Sequence, residues 1–278
     1  MNRLFFETDT VYCTGDLHGN FDGLKYYVKN KLPENCILIV CGDIGLGFES
    51  EAHYQPIFSK INEICEKKNI HVLLFRGNHD DPSYFTEKKI YYSNVKAIPD
   101  YTVVTVGDYN ILCVGGSISV DRFIRKRNME LNAGYYIRHH KVTFEEALDK
   151  VRSYWPDEPA VYNESELHDI LLNCGHINSI CTHTAPSDCV PKNTDGIKYF
   201  LERDSELEKD VFEDRNTMDK IRQFLMDNNA FSDVEKWVYG HFHTSNRENI
   251  NGVDYCLLQM YILEYNKMDI IEIWRNGK

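Results

Sequence analysis

The chain has no apolar run approaching the roughly 18 residues needed to cross a bilayer, so a membrane-spanning segment is not expected. Its opening, Met1-Asn2-Arg3-Leu4-Phe5-Phe6-Glu7, is too short and turns acidic too soon for a secretory signal, which points to a cytoplasmic protein. It has no Cys-x-x-Cys pair, which speaks against a zinc ribbon. Its nine cysteines fall mostly inside apolar stretches (Cys13, Cys36, Cys41, Cys113, Cys181, Cys256), where a reduced thiol behaves as a small hydrophobe. Positive charge is in deficit as well. The 31 Lys and Arg against 43 Asp and Glu leave a formal charge of −12, which disfavours broad electrostatic capture of duplex DNA. Internal repeats and low-complexity linkers are also lacking.

What remains is an ordinary soluble composition, 42% hydrophobic and 27% charged over 278 residues. That length fits one α/β domain, 1–278, with insertions at about 121–162 and 188–232. Apolar runs and helical patterns alternate at first: strand near Thr10–Thr14, helix near Phe21–Lys31, strand Ile37–Cys41, helix Glu51–Lys68, strand His71–Phe75. Such spacing argues for βαβ units with parallel pairing. Later, Tyr101–Val106 and Tyr109–Val114 flank Gly107-Asp108 and read as a hairpin, and Ser179–Thr182, Lys236–Tyr239, Asp254–Gln259 and Met268–Trp274 read as further strands. Two sheets sandwiched between helices accommodate all of them.

Five short segments carry the chemistry: Gly15-Asp16-Leu17-His18-Gly19, Gly42-Asp43, Gly77-Asn78-His79-Asp80, Thr182-His183-Thr184 and Gly240-His241-Phe242-His243. Each of the first three, and the last, sits where a β-branched apolar run stops at a small residue. A strand there delivers a side chain to the rim of a sheet, where open α/β sheets bind ligands. Carboxylates, imidazoles and one carboxamide make a mixed oxygen and nitrogen donor set suited to divalent cations such as Mn²⁺, Fe, Zn²⁺ or Ni²⁺, and no thiolate is offered.

In this order, from about Val11 to His243, the segments resemble the calcineurin-like metallophosphoesterases. The resemblance implies α/β/β/α layers and two divalent metal ions, Mn first among them, with Fe, Zn, Ni or Mg as alternatives. It places Asp16, His18, Asp43 and His243 on one ion and Asp43, Asn78, His183 and His241 on the other. Asp43 is then the bridge, and a shared hydroxide attacks phosphorus. Two charged ligands against two divalent ions leave a positive centre that favours anionic esters. The expected substrate is a phosphorylated small molecule, a nucleotide or a phosphoprotein.

His79, next to Asn78 but facing the other way, is assigned as general acid to the leaving oxygen. Asp80 or Asp81 orients that ring and raises its pKa, or Asp80 serves as a turn residue before Pro82. The protein-phosphatase branch of the family carries Gly-Asp-x-Val-Asp-Arg-Gly, whereas this chain reads Gly42-Asp43-Ile44-Gly45-Leu46-Gly47-Phe48 and lacks its second Asp and its Arg. Phosphate clamping then falls to Arg122, unless that residue is a surface ion pair. Asn20 either caps the helix at Phe21 or touches phosphate. The aromatic and basic stretch between Asp121 and Tyr162 is a lid beside the metals or a solvated surface element, and His139-His140 reach the site only if it folds over. The second insertion, Lys192–Arg215, reads as an exposed helix or mobile flap. A Ser/Thr protein phosphatase and a catalytically silent scaffold stand as alternatives.

Overall fold

The computed structural model describes residues 1–260 and 267–277. In chain order the elements are β1 (Asn2–Phe6), β2 (Thr10–Thr14), α1 (Phe21–Asn30), β3 (Cys36–Cys41), α2 (Glu51–Lys68), β4 (Ile70–Phe75), α3 (Ser83–Thr86), β5 (Val95–Ala97), β6 (Thr102–Val106) and β7 (Tyr109–Val114). There follow α4 (Arg122–His139), α5 (Phe144–Lys150), α6 (Glu164–Cys174), β8 (Ser179–Thr182), α7 (Lys198–Leu201), α8 (Leu207–Asp227), β9 (Lys236–Tyr239), β10 (Asn246–Ile250), β11 (Val253–Leu257) and β12 (Ile270–Arg275).

The strands form two sheets, one of seven in the order β1-β6-β7-β8-β9-β11-β10 and one of five in the order β12-β2-β3-β4-β5. Strand β3 shows how the layers are set. Every residue of Cys36-Ile37-Leu38-Ile39-Val40-Cys41 is buried, because alternate side chains serve different faces. Cys36, Leu38 and Val40 join Leu24 and Val28 of α1 and Tyr54, Phe58 and Ile61 of α2. Ile37, Ile39 and Cys41 meet Ile111, Cys113, Cys181 and Val238 of the other sheet. On the far side, Trp237, Tyr239 and Tyr255 of the seven-stranded sheet are covered by Leu167 and Ile170 of α6 and by Met218, Ile221 and Leu225 of α8. The result is helix, sheet, sheet, helix, as the sequence implies. No helix among the described residues is long and apolar enough to cross a membrane.

Helix α8 differs from expectation. The run Leu201–Asp210 suggests an exposed helix or flap, but that charge lies before the helix and in its first turn, and Met218, Ile221 and Leu225 then repeat at three and four residues and bury one face. Three strands, β1, β5 and β10, also escape the sequence reading. Asn20 caps α1, its side chain accepting from Gly23 N at 3.0 Å.

Candidate metal centre

Strands β2, β3 and β4 run parallel in one sheet, as do β8 and β9 in the other, and their C-terminal ends share one edge of the molecule. Asp16 and His18 follow β2, Asp43 follows β3, Asn78 follows β4, His183 follows β8, and His241 and His243 follow β9. The chain must turn abruptly to present them. His18, Asp43, His241 and His243 have φ of 44°, 49°, 70° and 52°, a left-handed conformation that costs a non-glycine residue about 1–2 kcal/mol. Glycine is needed at two adjoining points: a Cβ on Gly42, itself at φ +90°, would lie 2.2 Å from His183 Nδ1, and one on Gly77 would lie 2.1 Å from Asp43 Oδ1.

All seven predicted ligands are brought together. Donor atoms of Asp16, His18, Asp43 and His243 lie within 4.8 Å of one another, and so do those of Asp43, His183 and His241. Asp43 belongs to both groups. Its Oδ1 faces His183 Nε2 at 3.1 Å and its Oδ2 faces His18 Nε2 at 3.2 Å. Asn78 Oδ1 is 3.0 Å from His183 Nε2, and His243 Nε2 is 3.4 Å from Asp16 Oδ2. Buried Asp43 Oδ2 faces the His18 ring but makes no well-aligned hydrogen bond among the described residues, a state that a native interior rarely leaves uncompensated. His183 Nδ1 donates to Cys41 O at 2.8 Å, which fixes the ring with Nε2 facing the centre. Acceptor atoms at such spacing, two carboxylates among them, fit a pair of cations.

The electrostatics agree. Burial works to raise the Asp43 carboxyl, but His183, His79 and His18 outweigh it and hold it well below the usual carboxylate range. Burial disfavours a proton on His183, yet Asp43 and Asp16 raise it to about 10. His241 is pushed well below its ordinary value by burial and by His183. Two buried carboxylates thus demand positive charge, and one imidazole supplies it as a proton. A second donor cluster, Cys13, Cys41 and Cys181, lies between the sheets, with Cys13 Sγ 3.5 Å from Cys181 Sγ. Burial holds Cys13 and Cys41 as neutral thiols, so they pack as apolar matter.

Of the three predicted catalytic residues, His79 lies at the centre, while Asp80 and Arg122 make other contacts. Asp80 does not touch His79. It is wholly buried and accepts from the backbone N–H groups of Ile44, Gly45, Leu46 and Gly77 at 2.8–3.0 Å, which fixes the loop after Asp43. Arg122 is turned away from the centre: its guanidinium holds both oxygens of Asp204 and one of Asp210. One helical turn on, Arg125 lies on His79 instead, with Nη2 2.6 Å from His79 Nδ1 and in contact with Nε2, and Nε 2.8 Å from Asp121. Burial, together with Arg125, pushes His79 down to about 4, against the pull of Asp43. In the metal-free centre the guanidinium beside it thus favours the neutral form of the His79 ring. His139 and His140 do not reach the centre; they lie against Tyr135 and Tyr136 at the exposed end of α4.

Two residues went unnoticed in the sequence. Asn78 Nδ2 donates to Ser119 Oγ at 3.0 Å, and Ser119 donates Oγ and N–H to the two oxygens of buried Glu158 at 2.8 and 2.6 Å. This chain turns the Asn78 amide so that its oxygen faces the centre. Arg76 secures the strap bearing Glu158 by donating to the carbonyls of Asp157, Glu158 and Pro159. No strand end marks Ser119 or Glu158.

Comparison with known proteins places the geometry. The family model for calcineurin-like phosphoesterases matches residues 10–257. A search of curated proteins returns no match. Similar solved structures include a dimetal phosphatase from Danio rerio (11% identity, 91% of this chain and 88% of that one, TM-score 0.45) and the phosphopantetheinyl hydrolase of Mycobacterium tuberculosis (14%, 90% and 88%, 0.38). GAP50, the anchor in the inner membrane complex of Plasmodium, is also similar (13%, 90% and 71%, 0.40).

Proposed function

The chain belongs to the calcineurin-like phosphoesterases, and from that premise we propose that it hydrolyses phosphate esters at a centre of two divalent cations. The observation that carries this reading is Asp43, shared by two donor groups and left with a buried oxygen that no well-aligned hydrogen bond satisfies among the described residues. Asp16, His18, Asp43 and His243 would hold one ion, and Asp43, Asn78, His183 and His241 the other. Bound there, the ions would polarise phosphoryl oxygens and lower the pKa of the attacking water. The protein's own part is to orient and to exclude. Glu158 and Ser119 hold the Asn78 amide, Asp80 holds the loop that carries Asp43, and Cys41 O holds the His183 tautomer. Arg125, braced by Asp121 and lying on His79, would place a guanidinium against the phosphoryl oxygens.

The test is hydrolysis of p-nitrophenyl phosphate and bis-p-nitrophenyl phosphate by metal-stripped protein with Mn²⁺, Ni²⁺, Zn²⁺ or Mg²⁺ restored. Turnover that depends on metal supports the reading, and the better ester separates phosphomonoesterase from phosphodiesterase. Two bound ions with neither ester cleaved would count against it.

A further inference from the structure

A cleft of about 780 Å³ opens from the candidate centre, with Asp43, Asn78, His79, His241 and His243 at one end. That volume is ordinary for a small-molecule site. Apolar side chains line it as well: Ile118 and Val120 between β7 and α4, Ile197, Phe200 and Val211 of the second insertion, and Phe242 between two ligands. All but Ile118 are only half buried, so their apolar surface awaits a cover.

The charges around the cleft limit the occupant. Its two cationic lining residues are both engaged: Lys192 pairs with Glu248 at 3.1 Å, and Arg215 donates to the carbonyls of Ala185, Pro186, Cys189 and Pro191. Its acidic lining residues beyond the centre are Asp121, Glu208 and Asp214. Asp121 is paired with Arg125, and Asp214 accepts from Ser117 Oγ at 2.7 Å. A second phosphate or a carboxylate on the substrate would have to draw Lys192 away from Glu248, and Arg215 is committed to its four carbonyls. An uncharged hydrophobic group would bury the exposed faces of Phe200, Val211 and Phe242.

We propose that this cleft is the site for the organic part of the substrate, and that the substrate is a phosphate ester of a bulky apolar alcohol bearing no further negative charge. The proposal rests on the phosphoesterase reading. Each methylene buried is worth about 0.8 kcal/mol, or about fourfold in specificity.

The experiment compares hexyl phosphate with ethyl phosphate, whose alcohols differ little as leaving groups, on the Mn²⁺-loaded protein, with p-nitrophenyl phosphate as the activity control. In parallel, calorimetry measures binding of hexylphosphonate and ethylphosphonate. The expected result is a kcat/KM at least tenfold higher for the hexyl ester, a similar preference in phosphonate binding, and loss of both in Val211→Asp. Phe200→Ser, on the exposed short helix, serves if Val211→Asp does not fold. Equal kcat/KM and equal binding, or no phosphonate bound at all, would overturn the cleft while turnover of p-nitrophenyl phosphate left the enzyme reading standing. No ester cleaved, with hexylphosphonate still preferred, would sink the enzyme reading and keep the cleft.

Discussion

A carboxylate whose two oxygens face different imidazoles, as Asp43 does, can serve two cations only while it keeps both oxygens and its charge. Asp43→Asn is therefore expected to lose metal and turnover together; metal kept at the wild-type level would refute its shared role. Ser119→Ala leaves the Asn78 amide unpaired on its nitrogen side. Metal affinity should fall by roughly 10–100-fold, with Ser119→Thr restoring it, as read by metal titration. The proton that His183 holds at neutral pH in the metal-free centre must leave when a cation binds. Calorimetry in buffers of different ionisation enthalpy should find roughly one proton released per chain, and tighter metal binding as pH rises. The sign is fixed by the raised value: the proton's contribution to the metal-free fold is present below the unfolded value of 6.5 and lost as pH climbs through about 10. The ligands were legible because each sits where an apolar run ends. Arg125 was not, since Arg122 and Arg125 are equally basic in the sequence and only the packing of α4 decides which of them meets His79.

At the level of elements, Arg122 joins α4 to the segment before α8 through Asp204 and to the first turn of α8 through Asp210. It ties one insertion to the other rather than gripping substrate. Arg122→Ala should speed tryptic cleavage at Lys198 and Arg203 severalfold, while Arg125→Ala should instead lower kcat/KM by roughly 10²-fold. Equal tryptic rates in wild type and Arg122→Ala would remove the clamp. Strands buried on both faces, such as β3, could be read from their unbroken apolar runs. The edge strand β10, Asn246-Arg247-Glu248-Asn249-Ile250, has no such run and among the described residues pairs only with β11, so tertiary context makes it a strand. In α8 the charge at the start of the helix masked the apolar face that follows it.

For the whole molecule, the centre draws its donors from both sheets, Asp16, Asp43 and Asn78 from one and His183, His241 and His243 from the other. Cations bound there fasten two layers otherwise joined mainly by apolar packing. At metal a hundredfold above Kd the gain is about 2.7 kcal/mol, so a chelator should lower Tm by roughly 5–10 °C, seen by calorimetry. An unchanged Tm would mean that the ions do not bind the folded rim.

His18, Asp43, His241 and His243 stand in left-handed backbone, where glycine or asparagine would rest more easily. Drift in a lineage indifferent to the rim would run downhill toward those residues and gain stability at every step. Three histidines and an aspartate at these four positions therefore make the rim a place where the chain gives up stability to hold donor atoms in place.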